Sequence, residues 1–439
     1  MSSPPISSTS SNIGSNLRVA VVGAGIVGVT TAYELAADGH QVSVFERGGG
    51  VATETSFANA GIVAPGYVTP WAAPGMPTKV LRQMFSRHAA VRLGGVAALA
   101  ELPWLWRWWR ACRPAVYQGN RARMQKLARY SRDRLQQLSA SLQLDYEQTR
   151  GVLVLLRAPR DLALAQAGLA LLGELGVPFE LLDAEGCRRV EPGLNADTPL
   201  QAGIRLSEDG AGNCRQFAQL LRLEAERHGA RFHFAQPVQR IEPGASPRLT
   251  VSDSAGGPTT TASFDAVVVC AGIDAAALLR PLGLHLPLAA VYGYSITAPM
   301  RQHEAYPDLG PRSALMDEKY KVAITRLGQR LRVAGSAEIG GASGDFNDAA
   351  LRTLYRVLDD WFPGAADLGQ VQRWKGARPM LPDGPPVLGA SGRPGIWLNL
   401  GHGSSGWALA CGSARLLADG LAGRAPEIDT SGLGLDRLA

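Results

Sequence analysis

Residues 17–47, LRVAVVGAGIVGVTTAYELAADGHQVSVFER, constrain the fold more than any other stretch. The apolar run at 19–22 has no polar face, so it predicts a strand buried on both sides. It leads through Gly23, Gly25 and Gly28 into a helix-forming segment, and a second β-branched run at 42–45 ends on Glu46. G-x-G-x-x-G in this setting of strand, turn, helix, strand and acid predicts a parallel βαβ unit with a dinucleotide at its turn. Gly23 allows the tight turn, Gly25 lets backbone approach a pyrophosphate, and Gly28 lets the helix pack closely on the sheet. Ala24, Ile26 and Val27 fill the places between, and the helix start offers free N–H groups to the phosphates. Glu46, eighteen residues beyond Gly28, stands where a carboxylate meets ribose hydroxyls and disfavours a 2′-phosphate, so NAD or FAD fits better than NADP.

The 439 residues suggest two or three domains, and 46% hydrophobic content is ample for a large core. Residues 1–16, rich in Ser and Pro, read as a disordered tail and not as a signal peptide. No stretch gives the roughly 18 uninterrupted apolar residues of a spanning helix. The five cysteines, Cys112, Cys187, Cys214, Cys270 and Cys411, stand singly, which favours reduced thiols, a cytoplasmic location and no metal site. Between 104 and 134 nine basic residues face one acid, a local +8 against a total of +6. That is a local patch, not a nucleic-acid-binding composition.

The polar, broken segment at 53–75 directly follows the ribose-binding strand and could offer backbone donors to a cofactor or be a surface connection. Residues 78–142 read as helical, a helical insertion. Within them ELPWLWRWWRACRP places Arg107, Arg110 and Arg113 at i+3 spacing, with Trp104, Leu105, Trp108 and Cys112 on another face. Such a helix suits either a membrane interface or the protein's own core. Strands and helices alternate from Gly151, and the run at 264–272 predicts a third parallel strand reaching the cofactor through Ala271 and Gly272. Residues 286–336 look like antiparallel sheet carrying Tyr292, Tyr294, Tyr320 and Lys321. Near the end a second strand, glycine and helix junction, Gly401, His402, Gly403, Ser404, Ser405 and Gly406, aims another helix start at the cofactor.

GAGIVG, ETSFANAGIVAPGYVTPWAAPG, DEKYKVAITR, GARPMLPDG and LNLGHGSSGW, in this order over nearly the whole chain, resemble the bacterial D-amino acid dehydrogenases (small-subunit type) of the FAD-dependent D-amino acid oxidase superfamily. The resemblance implies an α/β (α+β) fold, a FAD-binding Rossmann-like domain with an antiparallel-sheet substrate domain, the chain crossing between them several times. The expected division is 17–77, 203–280 and 376–439 for FAD, and 78–202 with 281–375 for substrate. FAD would bind non-covalently: Gly23, Ala24, Gly25, Ile26, Val27, Gly28, Glu46 and Arg47 at the ADP part, Val238 at the adenine, Thr55, Ser56, Asn59, Ala60 and Gly61 at the flavin, Ala271 and Gly272 near the pyrophosphate, and Gly401, His402, Gly403, Ser404, Ser405 and Gly406 at the pyrimidine end. Arg378 would grip the substrate carboxylate, with Tyr292 or Tyr320 shaping the pocket; an Arg378–Asp383 ion pair is the plain structural alternative.

The implied reaction is oxidative deamination of a D-amino acid to a 2-oxo acid and ammonia by hydride transfer from Cα to flavin N5, with electrons passed to a quinone-type respiratory acceptor. The alternatives are glycine, sarcosine or hydroxyproline oxidation on the same scaffold, or a flavoprotein without turnover. The 104–134 region becomes a candidate contact with anionic lipid on the inner face of the cell membrane or with a quinone-linked acceptor.

Overall fold

The computed structural model describes residues 16–83, 88–174, 176–253, 257–302, 304, 309–342 and 344–438; the tail expected at 1–16 falls almost wholly outside them. Two sheets organise the molecule. The first runs Val387–Ala390, Ile396–Leu400, Ala266–Val269, Arg18–Val22, Gln41–Phe45, Arg231–His233, all parallel except the outermost Val387–Ala390. Period-two alternation sends side chains to both faces, and the central stretches 19–22 and 266–269 are apolar and buried on each. Val19, Val21, Val42, Val44 and Val268 pack into a layer of helices. Ala20, Val22, Val267, Val269 and Leu398 pack the other way, against a three-stranded antiparallel ribbon of Val238–Glu242, Arg248–Val251 and Thr260–Ser263.

Helices Ile26–Ala37, Pro114–Ser141, Cys214–Arg227 and Gly406–Leu421 form the helical layer. The first ends as its sequence dictates: Gly39, at φ +89°, lets the Gly39 and His40 N–H groups bond back to Ala36 O and Leu35 O. Three of these helices are tied by Glu34, wholly buried, whose carboxylate takes Arg134 at 2.7 Å and Arg415 at 2.8 Å. A buried carboxylate with two guanidinium partners is an arrangement that burial tolerates.

The second sheet has ten strands. Its main path is Gln372–Met380, Ala289–Pro299, Arg330–Ile339, Val322–Leu327, Ala314–Asp317, Thr149–Leu156, Ala202–Ala211, Ile62–Val63; Val91–Leu93 adds to Arg330–Ile339 and Glu180–Asp183 to Ala202–Ala211. It is antiparallel apart from two parallel pairings. Helix Asp348–Trp361, capped by Asn347 Oδ1, covers one face through Leu351, Leu354, Val357 and Trp361.

Three boundaries differ from those expected. Ala202–Ala211 and Gln372–Met380 belong to the larger sheet, because their alternating faces find partners there. Helix Pro114–Ser141, within the expected substrate-side insertion, buries Met124, Leu127, Ala128, Leu135 and Leu138 in the helical core of the first sheet. The basic patch is also partly spent: Arg132 pairs with Glu208, Arg134 with Glu34 and Lys126 with Asp429. All five cysteines are buried and unpaired. No described helix is long and apolar enough to cross a membrane.

Asp209 is buried in strand Ala202–Ala211, where it accepts the Gly66 N–H at 3.1 Å. Burial pushes its pKa up to about 7. The folded state therefore holds this proton more tightly than the unfolded chain, and the resulting stability is present below about pH 4 and lost as pH rises through 7. Asp209→Asn keeps an acceptor without the charge. Its Tm should exceed wild type at pH 8, by an amount worth on the order of 2–4 kcal/mol, and the advantage should disappear near pH 4. A constant Tm difference across that range would contradict the assignment.

Candidate functional site

A cavity of about 580 Å³ opens between the two sheets. Its walls bring together Ile26, Thr55, Ser56, Asn59, Ala60, Gly61, Arg378, Gly403, Ser404, Ser405 and Gly406, pieces far apart in sequence. Two helix starts border it, and neither Gly25 before Ile26–Ala37 nor Ser405 before Gly406–Leu421 supplies a side-chain cap. The Ile26 N–H is taken by Ser56 Oγ at 3.0 Å, and the positive dipole ends of the two helices suit an anionic ligand.

The turn before the first helix is built as the spacing requires. Gly23 has φ +100° and passes so close to strand Ala266–Val269 that a Cβ would lie 2.7 Å from Cys270 O. At Gly28 a Cβ would lie 1.9 Å from Gly23 O. Glu46 accepts the Ala24 and Gly48 N–H groups, both at 2.7 Å, which aims its carboxylate at the turn. Arg47 is held by Asp274 at 2.6 Å and by Glu54. Val238 and Ala271 lie half-buried against one apolar cluster, and Gly272 and Gly401 take positive φ.

His402 is buried and bonds Ser413 Oγ through Nε2 at 3.0 Å. Burial drives its pKa down to about 3, so the ring is neutral. Among the described residues no cluster could hold a metal ion.

Arg378 sits on Gln372–Met380 opposite Val291. Its guanidinium lies over Gly293, where a Cβ would come within 2.2 Å of Nη2, and it donates to Ser336 O at 3.0 Å. Among the described residues it has no carboxylate partner. Asp383 pairs instead with Arg437 at 2.9 Å, which removes the alternative pairing. Burial lowers the Arg378 pKa to about 10, so the cation persists at neutral pH. A buried guanidinium facing a cavity without a counterion is a ready carboxylate receptor.

Neither Tyr292 nor Tyr320 lines this cavity. The pairing of Ala289–Pro299 with Arg330–Ile339 shifts register between Tyr292 and Tyr294, yet both rings stay on one side, around the Lys375 ammonium. Tyr292 lies beneath the Lys375 ammonium at 4.5 Å, and Tyr294 reaches the cavity with its hydroxyl on Glu338. Tyr320 packs away from it, its ring against the Arg157 guanidinium at 5.0 Å.

The sequence reading missed Tyr67 and Glu318, and named Lys321 without its partners. Tyr67 OH donates to Glu318 Oε2 at 2.8 Å, and Lys321 Nζ bonds both Tyr67 OH at 3.0 Å and Glu318. Burial opposes the Lys321 charge, yet Tyr67 and Glu318 hold its pKa above the usual value. The signal available was Lys321 three residues after Glu318; no local pattern pointed to Tyr67.

The description FAD dependent oxidoreductase matches residues 18–420. The chain belongs to this FAD-dependent oxidoreductase family. It is 47% identical over 427 residues to a D-amino acid dehydrogenase of Cereibacter sphaeroides, with 96% of both chains covered. A protein of the same name from Rhizorhabdus wittichii is 44% identical over 423 residues, covering 96% of this chain and all of that one. Glycine oxidase from Geobacillus kaustophilus shares the fold at TM-score 0.73 and 20% identity, covering 96% and 98% of the two chains. Iminodiacetate oxidase from Chelativorans does so at 0.70 and 20%, covering 95% and 98%.

FAD is thus the family's cofactor, and the residues present fit it: two helix starts at the cavity, a glycine turn with no room for a Cβ, and a carboxylate held at that turn.

Proposed function

We propose that this oxidoreductase deaminates D-amino acids to 2-oxo acids and ammonia and hands the electrons to a quinone-type respiratory acceptor. The observation that carries the reading is Arg378, a buried cation without a carboxylate, in the same cavity as residues 59–61 and 403–406. Relatives of 42–47% identity named D-amino acid dehydrogenase support the substrate class.

FAD, when bound, would supply the two-electron acceptor for the Cα hydride. Arg378 would take the substrate carboxylate through two parallel hydrogen bonds and so fix the direction of the Cα–H bond. The neutral amine provides the electron pair for the imine, which water then hydrolyses, so no strong protein base is required and positioning does most of the work. Neutral His402 does not act as one. Anaerobic bleaching of flavin absorbance by D-alanine, and not by L-alanine, is the expected result. Bleaching only by sarcosine would move the substrate to N-methyl amines, and none with any amine would leave a flavoprotein without turnover.

The membrane contact rests on helix Leu102–Ala111. Its inner face is core, with Trp104 and Trp108 buried, while Trp106 and Trp109 are 59% and 49% exposed and stack at 5.0 Å. Exposed Leu99 and Leu102 adjoin them, and Arg107, Arg110 and Arg113 are exposed on the same segment. Aromatic rings with flanking cations suit an anionic lipid interface on the cytoplasmic side of the membrane. Binding to anionic vesicles should fall about tenfold in a Trp106→Ala, Trp109→Ala double variant, and similarly when the three arginines become Gln. Unchanged flotation of both would remove the contact.

A further inference from the structure

Four consecutive carbonyls of the cavity-lining loop at 58–61 are each bonded from behind. Ser295 Oγ donates to Ala58 O at 2.8 Å, Arg332 Nη1 to Asn59 O at 3.2 Å, Thr325 Oγ1 to Ala60 O at 2.8 Å and Trp407 Nε1 to Gly61 O at 3.2 Å. Three of these donors are neutral. The fourth is a guanidinium only 5% exposed, whose Nε is taken by Thr297 Oγ1 at 3.0 Å.

Among the described residues no carboxylate lies within ion-pair distance of Arg332. The charged or titratable groups that act on it are Arg330, Cys214, Glu147 and Arg215, and Glu147 is turned to Arg330 Nη2 at 2.7 Å. An uncompensated buried cation is costly, and a neutral donor would pin the loop equally well. Its charge therefore asks for a function that pinning does not supply.

The peptide between Asn59 and Ala60 is trans, so its N–H points opposite to the carbonyl that Arg332 holds. The neighbouring Gly61 N–H is taken by Asn59 Oδ1 at 3.0 Å. The Ala60 N–H has no protein acceptor among the described residues, and Ala60 lines the cavity. Polarising a peptide at its oxygen strengthens the donor at its nitrogen.

We propose that Arg332 is a positioning residue that polarises the Asn59–Ala60 peptide, so that this loop favours the negative charge flavin gains on reduction. Arg332 thereby raises the flavin potential without touching substrate.

The test is the ratio of affinities for reduced and oxidised FAD, read from the flavin midpoint potential of the purified holoenzyme by equilibration with a redox dye. Arg332→Gln, which keeps a donor for Asn59 O but no charge, should lower that ratio on the order of tenfold. Arg332→Lys should restore most of it. Thr325→Val removes a neutral pin, and should weaken both oxidation states alike and leave the ratio unchanged. An Arg332→Gln enzyme with the wild-type potential overturns the proposal, as does a Thr325→Val enzyme whose potential shifts as far. Should Arg332→Gln purify without flavin, anaerobic titration with oxidised and with reduced FAD replaces the dye measurement. Equal losses of affinity for the two forms would then make Arg332 a loop anchor and sink the idea.

Discussion

Replacing Arg378 with Ala should lower kcat/KM for D-alanine by roughly 30- to 5,000-fold, about 2 to 5 kcal/mol, while FAD content stays near wild type. The asymmetry follows from where the guanidinium sits. Its one described bond is to Ser336 O, so its removal breaks little of the fold. A substrate carboxylate entering the cavity would lose the buried guanidinium of Arg378, since Lys321 is already engaged by Glu318 and Tyr67. Arg378→Lys should recover part of the loss in KM and less of it in kcat, because an ammonium supplies charge without the paired geometry. Gly293→Ala is an independent probe of the same contact: the new Cβ would fall 2.2 Å from Arg378 Nη2 and push the guanidinium aside. It should raise KM for D-alanine about tenfold or more with the arginine still present. Steady-state kinetics on the three variants decide the matter, and wild-type kcat/KM in Arg378→Ala would end the assignment.

Gly28→Ala should produce the largest loss of stability of any single methyl added to the chain's first unit. The added carbon would sit 1.9 Å from Gly23 O and 2.9 Å from Gly23 C, both backbone atoms that no rotamer change can move. Relief requires helix Ile26–Ala37 to lift from strand Arg18–Val22, which loosens the packing of Val19, Val21, Val29 and Ala32 together. The expected cost is about 3 kcal/mol or more, with Tm lower by roughly 5 °C or more and flavin lost during purification. Gly49→Ala is the matched control, since a Cβ there meets nothing within 4 Å. Thermal unfolding of the two variants side by side, with flavin absorbance measured on each, separates the close approach from a general effect of the methyl. Equal Tm values for both would contradict it.

The parts legible in the sequence were those whose cause is local. The glycine turn, the doubly buried strands at 19–22 and 264–272 and the second helix start near 401–406 each depend on neighbours within a few residues, and each lies where its pattern indicated. Arg378 lines the cavity. Tyrosine placement was not legible, because Tyr292 and Tyr294 are fixed around Lys375, which belongs to another strand far along the chain, and nothing near Tyr292 announces it. Tyr67 and Glu318 meet across a still longer separation. The carbonyl pins at 58–61 come from three strands of the second sheet and a helix start, and no spacing rule connects Ser295, Thr325, Arg332 and Trp407.

Strand Ile396–Leu400 lies directly beside Ala266–Val269, which in turn lies beside Arg18–Val22, and residues 403–406 close the cavity that Ile26 opens. Gly23 and Gly403 thus stand near opposite ends of the region shared with the family. During synthesis the first glycine turn leaves the ribosome long before the last wall of its pocket exists. Domains made from one continuous segment can fold and capture a ligand while translation continues, but this arrangement postpones closure of the pocket until residues 403–406 have been made. The supply of free flavin therefore matters at that stage, when the chain must gather strands from three distant stretches around one molecule.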